Sequence, residues 1–591
     1  MKQQTLRFDS RRVLCLLLAA AARGQAAPDG CPGSPWPATD ALARELPLAA
    51  ECGVSRPGRQ VGIFYFLWHE HAGPGRVAGE GPYDVARILA ADPDAARKPS
   101  SPLWGPIGAY HYWGEPLFGY YLPSDSWVLR RHAHLLADAG IDVLIMDATN
   151  ALTYRPVYEK LCEVFTEVRR GGDAVPRIAF MVNTNAGRTA QKLYADLYAP
   201  GLFRDLWFIW DGKPLLLCDP AQAGPEVREF FTLRRAHWPF EMIDTPYAWH
   251  WEATYPQPYG YTGDPAKPEQ VNVSVAQNLR AVDGKVTNMS AGDARGRSFH
   301  DGRQDQTPGA ADHGRNFQEQ WRRAYELDPP FVMVTGWNEW IAGRWGTPDG
   351  PLVFVDQFDR EFSRDIEPMR GGHGDNYYYQ LVAGVRRYKG APPLPAASAP
   401  ATIAIDGSFD AWRAVAPEFL DHAGENLPRD AAGAGGTRYV DASGRNDIAA
   451  AKVARDARNI YFYARVRAPL TPRGTEPWMW LLIDADRNAA TGWEGYEWIA
   501  NRTANPDGTV WLERHDGAWT WKPTARLAFR AGGNELHLAI PRGALGLPEG
   551  TAVAIDFKWV DGAIRPGEIM DFHTRGDAAP DGRFRYRYTA K

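Results

Sequence analysis

HLLADAGIDVLIMDATN, residues 134–150, carries a helix into a strand: the amphipathic pattern that begins at Trp127 runs to Ala139, and Val143 to Met146 is then an apolar run ending on the carboxylate Asp147. The same unit recurs. Val61 to Leu67, Ile178 to Asn183, Pro214 to Cys218, Glu241 to Tyr247, Val271 to Ala276 and Phe331 to Trp337 also read as buried strands, and Pro156 to Arg170 and Asn316 to Leu327 as helices between them. Alternation of this kind over residues 60–390 predicts a parallel sheet, and its length favours a (β/α)₈ barrel of the TIM type over an open doubly wound sheet. No Gly-rich phosphate loop follows any of these strands, which argues against nucleotide binding.

The strand ends are polar or aromatic: Trp68-His69, Asp147, Asn183, Asp219, Asp244 and Trp337-Asn338-Glu339-Trp340. Carboxyl ends of barrel strands form the active-site face, so these residues should converge on one cleft. Beyond the barrel, the Pro/Ala-rich stretch 391–400 is a linker. Short alternating runs follow over 401–591, among them Asn459 to Val466, Trp478 to Ile483, Glu535 to Ile540 and Ala552 to Trp559, and predict an antiparallel β-sandwich. The 591 residues are too many for one core. The net charge of -5 offers no basic surface for nucleic acid, and 23 Trp with 12% aromatic residues suit extra core or sugar-stacking surface.

At the N-terminus, Arg7, Arg11 and Arg12 precede an apolar run from Val13 to Ala22 and the small residues Ala26 and Ala27, so 1–27 reads as an export signal. Ser10-Arg11-Arg12 suits a twin-arginine route as well as an ordinary one. The mature chain, with an N-terminal extension at 28–59, is expected in the periplasm or outside the cell, as a monomer with no membrane span. After loss of Cys15, four cysteines remain, and Cys31 with Cys52 is the expected disulfide.

The strongest chemical signal is FVMVTGWNEWIAGRWG, 331–346, which sets Glu339 between Trp337 and Trp340 at the barrel mouth. A partly desolvated carboxyl there would have a raised pKa while the indoles stack on a sugar ring; the competing reading pairs Glu339 with Arg344 and puts the indoles in the core. Asp147 and Asp244 are candidate second carboxyls, because glycoside hydrolysis uses two. Trp68, His69, His111, Trp113, Asn183, Trp249, His250, Trp251 and Asn338 complete the expected substrate-binding set, with Glu252 in the same loop as Trp251. Arg295, Arg297 and His300 could clamp an acidic sugar substituent. No HExxH or similar cluster points to a catalytic metal, so no catalytic cofactor is expected. In the second domain Asp484, Asp486 and Asn488 alternate as calcium ligands would, although an Asp/Asn-rich turn without metal also fits; Trp478, Trp480, Trp493, Trp498, Trp519 and Trp521 could form a stacking platform.

HYWGEPLFGYY, HLLADAGIDVLIMDATN and VTGWNEW together resemble the glycoside hydrolase family 99 and family 71 group of (β/α)₈ enzymes, which includes endo-α-mannosidase-like proteins. In family 99 a late strand carries Asn-Glu-Trp-x-Glu-Gly with both glutamates catalytic. Glu339 matches the first, and Ala342 stands where the second would be, a residue that cannot transfer a proton. Arg364-Asp365-Ile366-Glu367-Pro368 and Asp375 to Gln380 resemble bacterial proteins with the same barrel. The segment from IDGSFDAW at 405 onward is similar to family 9 carbohydrate-binding modules, which hold sugar between aromatic rings and bind calcium. The resemblance implies a secreted glycoside hydrolase acting on a polysaccharide or complex glycan. The alternatives are a non-catalytic polysaccharide-binding protein and a polysaccharide lyase.

Overall fold

The computed structural model describes residues 31–69, 81–239, 241, 244–348, 350–474, 476–563, 565 and 567–591. The expected export signal lies outside them, and among the described residues no helix is long and apolar enough to cross a membrane. Eight parallel strands dominate the first part: β1 (Gln60–Tyr65), β2 (Val143–Ala148), β3 (Arg177–Val182), β4 (Lys213–Leu217), β5 (Thr232–His237), β6 (Ala248–His250), β7 (Gln270–Ser274) and β8 (Phe331–Thr335). They are hydrogen-bonded in the order β7-β8-β1-β2-β3-β4-β5-β6, a nearly closed, barrel-like sheet consistent with the TIM type. Helices α1 (Ser126–Asp138), α2 (Arg155–Arg170), α3 (Ala186–Leu193), α4 (Pro225–Phe230), α5 (Arg315–Leu327) and α6 (Asn376–Lys389) accompany them.

Strand alternation divides the apolar residues into two layers. Phe64, Ile145, Met181, Leu217, Trp249, Phe331 and Met333 form one cluster. Ile63, Leu144, Phe180, Leu216 and Val332 pack instead with helix residues such as Leu136, Leu161 and Val382, so theirs is the outer layer and the first cluster fills the barrel. The interior is tight: a Cβ on Gly62 would stand 2.6 Å from Phe331, so only glycine fits there.

The sheet is unlaced between β6 and β7, and a side chain bridges the gap. The His250 N–H donates to Gln270 Oε1, and Gln270 Nε2 donates to the His250 carbonyl, both at 2.9 Å. A two-residue antiparallel strand, Tyr259–Gly260, fills the remaining edge of β7. Gly260 is required there, since a Cβ would come within 2.3 Å of the Ala248 carbonyl.

Two sequence expectations are corrected here. The strand expected at Glu241 to Tyr247 is absent among its described residues; β5 and β6 flank that segment instead. In β5 the buried residues alternate as Thr232, Arg234 and Ala236, and the buried cation hides the strand from an apolar scan. Arg234 is held by Glu269, with Nη2 to Oε1 at 2.6 Å. The expected Cys31–Cys52 disulfide is also absent, both being free thiols. Cys31 N donates to Asp142, whereas the Cys52 thiol donates to the Leu48 carbonyl, so the two serve different surroundings.

Past the Pro/Ala-rich stretch come two antiparallel sheets. Five strands, β9 (Glu418–Leu420), β10 (Ile448–Arg455), β11 (Asn459–Val466), β16 (Phe529–Gly532) and β17 (Glu535–Pro541), pair in the order β9-β10-β11-β17-β16. The other sheet holds β12 (Trp480–Asp484), β13 (Trp498–Ala504), β14 (Val510–His515), β15 (Trp521–Leu527), β18 (Val553–Asp561), β19 (Asp577–Ala579) and β20 (Tyr586–Ala590), with β18 paired to β12, β19 and β20. Val453, Phe462 and Leu538 of the first sheet share one apolar cluster with Leu481, Ile483, Phe557 and Trp559 of the second.

Gln270→Leu removes both seam bonds and leaves the His250 N–H and C=O unpartnered. The expected loss is about 2–4 kcal/mol, measured as a lower urea midpoint for unfolding of the full chain.

Candidate active site

Glu339 follows β8 and is only 5% exposed. Its donors among the described residues all reach one oxygen: Gln357 Nε2 and Arg364 Nη2 lie 3.0 Å from Oε2, and Arg364 Nε lies 3.3 Å away. The expected alternative partner, Arg344, is elsewhere, donating to the backbone carbonyls of Gly105 and Pro99. Arg364 is fully buried and lies over Trp251, with its guanidinium carbon 4.8 Å from the ring centroid. Its Nη1 donates to Glu252 Oε2 at 3.1 Å, and the Asn278 N–H donates to Glu252 Oε1 at 3.0 Å. Thus a strand-end carboxyl from β8 and one just past β6 share a single guanidinium.

Burial sets the protonation of this group. Desolvation pushes the Glu252 carboxyl up to about 7 against the opposing pull of Arg364, and it drives Glu339 well above the ordinary range for the same reason. One guanidinium cannot neutralise two buried carboxylates, so one of the pair retains a proton near neutral pH. Asp356, half-exposed, comes within 3.5 Å of Arg364 and adds to the upward pressure on both glutamates.

Asp147, at the end of β2, faces the same mouth. Thr149 N–H donates to its Oδ1 at 2.9 Å and Trp68 Nε1 to its Oδ2 at 3.2 Å; burial raises its pKa, and Asp356 raises it further. Asp244 is exposed on the loop entering β6 and takes no part in the bonds that join Glu339, Arg364 and Glu252. It is bonded instead to the side chain of Tyr261.

The structure divides the aromatic candidates sharply. Trp337 and Trp340, which flank Glu339 in sequence, are both fully buried. Trp337 packs edge-on to His132, while Trp340 stacks on Trp113 at 5.0 Å and donates to Glu367. Trp113 in turn donates to Asp365, and His111 is stacked on Tyr83. Trp249 lies inside the barrel, donating to Glu269, and the ring of His250 meets His237. His69 Nε2 donates to the Asn338 carbonyl at 2.7 Å. The Asn338 amide is bonded to both backbone polar groups of Phe66, clamping the exit of β1 to β8. These residues build the mouth rather than line it. The rings left at its edge are Trp68, Tyr110, Tyr154 and Trp238: Trp68 meets Tyr110 at 5.4 Å, and Trp238 meets Trp251 at 5.1 Å while donating to the exposed Asn183.

No protein-family model and no curated protein matches the chain. Two solved structures of the GH99 endo-α-mannosidase from Bacteroides thetaiotaomicron, one of them in complex with bis-tris-propane, are similar to part of it. Each covers 56% of this chain and 97% of its own, at 15% identity and a TM-score of 0.32.

Glu252's place opposite Glu339, and the roles of Arg364, Gln357 and Asp356, were not visible in the sequence. The one hint was a run of charges, Asp356 to Glu367, in a stretch with many buried positions. In the second domain, Asp484 is tied to Arg585 at 2.7 Å, and Asn488 Oδ1 accepts from the Ala490 N–H. Glu497 stands with Asp484 and Asp486 as a further possible oxygen donor. The indoles of Trp478, Trp493, Trp498 and Trp521 are buried, and Trp480 and Trp519 are partly so.

The raised Glu252 gives a signed pH dependence. A carboxyl whose folded pKa lies above its unfolded value holds more protons in the native state, so its contribution is full below the unfolded value of about 4.3 and is lost as pH rises through about 7. Glu252→Gln leaves Arg364 paired one-to-one with Glu339. It is expected to flatten the fall in melting temperature between pH 5 and 8, and a slope equal to that of the parent chain would disprove the shared-proton arrangement.

Proposed function

We propose that the chain is an exported glycoside hydrolase acting on a polysaccharide or complex glycan, with Glu339 and Glu252 as its two working carboxyl groups. One observation carries this reading: two buried carboxyls from different strand ends meet on one guanidinium at the barrel mouth. Such a pair is kept in unlike protonation states, and glycosidic cleavage needs a proton for the departing oxygen together with an ionised partner on the sugar carbon or its attacking water. The protonated member supplies the acid, and the other, held by Arg364, supplies the base or nucleophile. Glu339 Oε1 receives no bond from a described residue, which suits it to face a substrate. Glu252 would take the role for which Ala342 is unfit. Asp147, Asp356 and the rim rings Trp68 and Trp238 would hold the sugar by hydrogen bonds and stacking, and the second domain would add further glycan contact.

A second reading, a polysaccharide-binding protein without turnover, is favoured by the depth of Glu339 and by the loss of both flanking indoles to the core. The lyase reading is less favoured, because Arg297, one of the three residues it rested on, is fully buried and engaged with Ser363, the Asp365 carbonyl and the ring of Tyr377.

Incubation with α-mannans, α-glucans and acidic polysaccharides tests the proposal. The parent chain should release saturated oligosaccharides, and Glu339→Gln or Glu252→Gln should each lower kcat/KM by roughly 100-fold or more while glycan binding persists. Undiminished cleavage in both variants removes the assignment; binding without cleavage by the parent establishes the second reading.

A further inference from the structure

Away from the barrel mouth, the seam between α1 and the second domain buries an excess of negative charge. Asp421 and Glu425 lie on the segment between β9 and β10, Asp577 opens β19, and Asp581 follows it; all four are buried. From the barrel side, Arg131 of α1 reaches Glu425 Oε1 at 3.1 Å and Asp581 Oδ1 at 3.4 Å, and His134 Nδ1 lies 3.2 Å from the same Glu425 oxygen. Lys558, also buried, donates to the Pro580 carbonyl, and its ammonium faces Asp581, Asp421 and Glu425, so Arg131 and Lys558 stand against four carboxyls. His422 faces Asp138 and Asp173, Asp447 is paired with Arg467, and Arg585 with Asp484.

Three of the carboxylates have one oxygen satisfied and one not. Asp421 Oδ1 accepts from the Tyr586 hydroxyl, Asp577 Oδ2 from the Ile448 N–H, and Glu425 Oε1 takes Arg131 and His134. Asp421 Oδ2, Glu425 Oε2 and Asp577 Oδ1 are buried without any partner. Glu425 is 2% exposed and Asp577 1%, so bulk water does not reach these oxygens. The three residues each bring a ligand oxygen within 4.8 Å of the other two. Oxygens that share a calcium ion at its usual bond length are no further than about 5 Å apart. An unpaired buried carboxylate oxygen is costly, and three carboxylates this close together, each with one such oxygen, call for a cation.

We propose that Asp421, Glu425 and Asp577 form a binding site for a hard divalent cation, calcium in the first instance, that bonds the second domain to the seam with α1. An all-oxygen donor set excludes a preference for soft metals, and calcium's flexible geometry suits side chains already fixed by Arg131, Tyr586 and Ile448. This site is distinct from the turn at Asp484 and Asp486, whose oxygens are occupied by Arg585, Arg487, Asn488 and Thr491.

The full chain, stripped with EDTA, is titrated with CaCl₂ and in parallel with MgCl₂ by calorimetry and thermal melting. Calcium should bind and raise the melting temperature by several degrees, with magnesium weaker. Asp577→Asn should weaken the calcium response at least tenfold, and Asp486→Asn should leave it in place. Glu425→Gln serves as the second seam variant if Asp577→Asn does not fold. The proposal is overturned if the stripped chain ignores millimolar calcium, as it would were the carboxyls simply to share protons. It is equally overturned if the response survives in the seam variants and disappears in Asp486→Asn.

Discussion

Arg364 is the tie on which the barrel mouth depends. It comes from the loop between β8 and α6, reaches Glu339 at the end of β8 and Glu252 past β6, and rests on Trp251, so one guanidinium spans three separate parts of the rim. Its removal would leave two carboxyls buried without a counter-charge, and breaking a buried pair in that way typically costs about 3–5 kcal/mol. The arrangement is also unequal by construction. Two buried acids share one base, so the geometry that holds the loop in place also favours retention of a proton on the pair.

The neighbours of Glu339 serve it in a different way from the one their identity suggests. Trp337 and Trp340 point into packed layers against His132 and Trp113, and Asn338 locks the β1 exit through the Phe66 backbone. Anchors on both sides, Trp337 and Asn338 before it and Trp340 after it, leave the carboxylate between them little freedom. The rings left at the edge of the mouth lie outside the motif. Trp68 is the clearest of these, since its indole nitrogen also donates to Asp147.

Charge, rather than apolar area alone, joins the two halves of the molecule. Arg429 reaches Asp125 at the start of α1, Arg583 reaches Asp375 at the start of α6, and Arg131 reaches Glu425 and Asp581. The first is a one-to-one pair, and Arg583 also reaches Glu494. At the third the carboxylates outnumber the cations, and the imbalance lies on the same face of α1 that carries His134.

Periodicity in the sequence was enough to establish the alternating strands and helices of the barrel and the antiparallel runs beyond residue 400, because each depends on neighbours a few positions apart. It failed at β5, where Arg234 occupies an interior place with a partner, Glu269, that is 35 residues distant. It also could not foresee Gln270 standing in for a missing strand ladder. The site followed the same division. That Glu339 and Asp147 sit at strand ends was legible from the runs that precede them, whereas the meeting of Glu339 with Glu252 through Arg364 was not. Contact between residues 252, 339 and 364, the desolvation that raises the pKa of the two glutamates, and the direction each indole takes are properties of packing in three dimensions, and only the folded chain decides them.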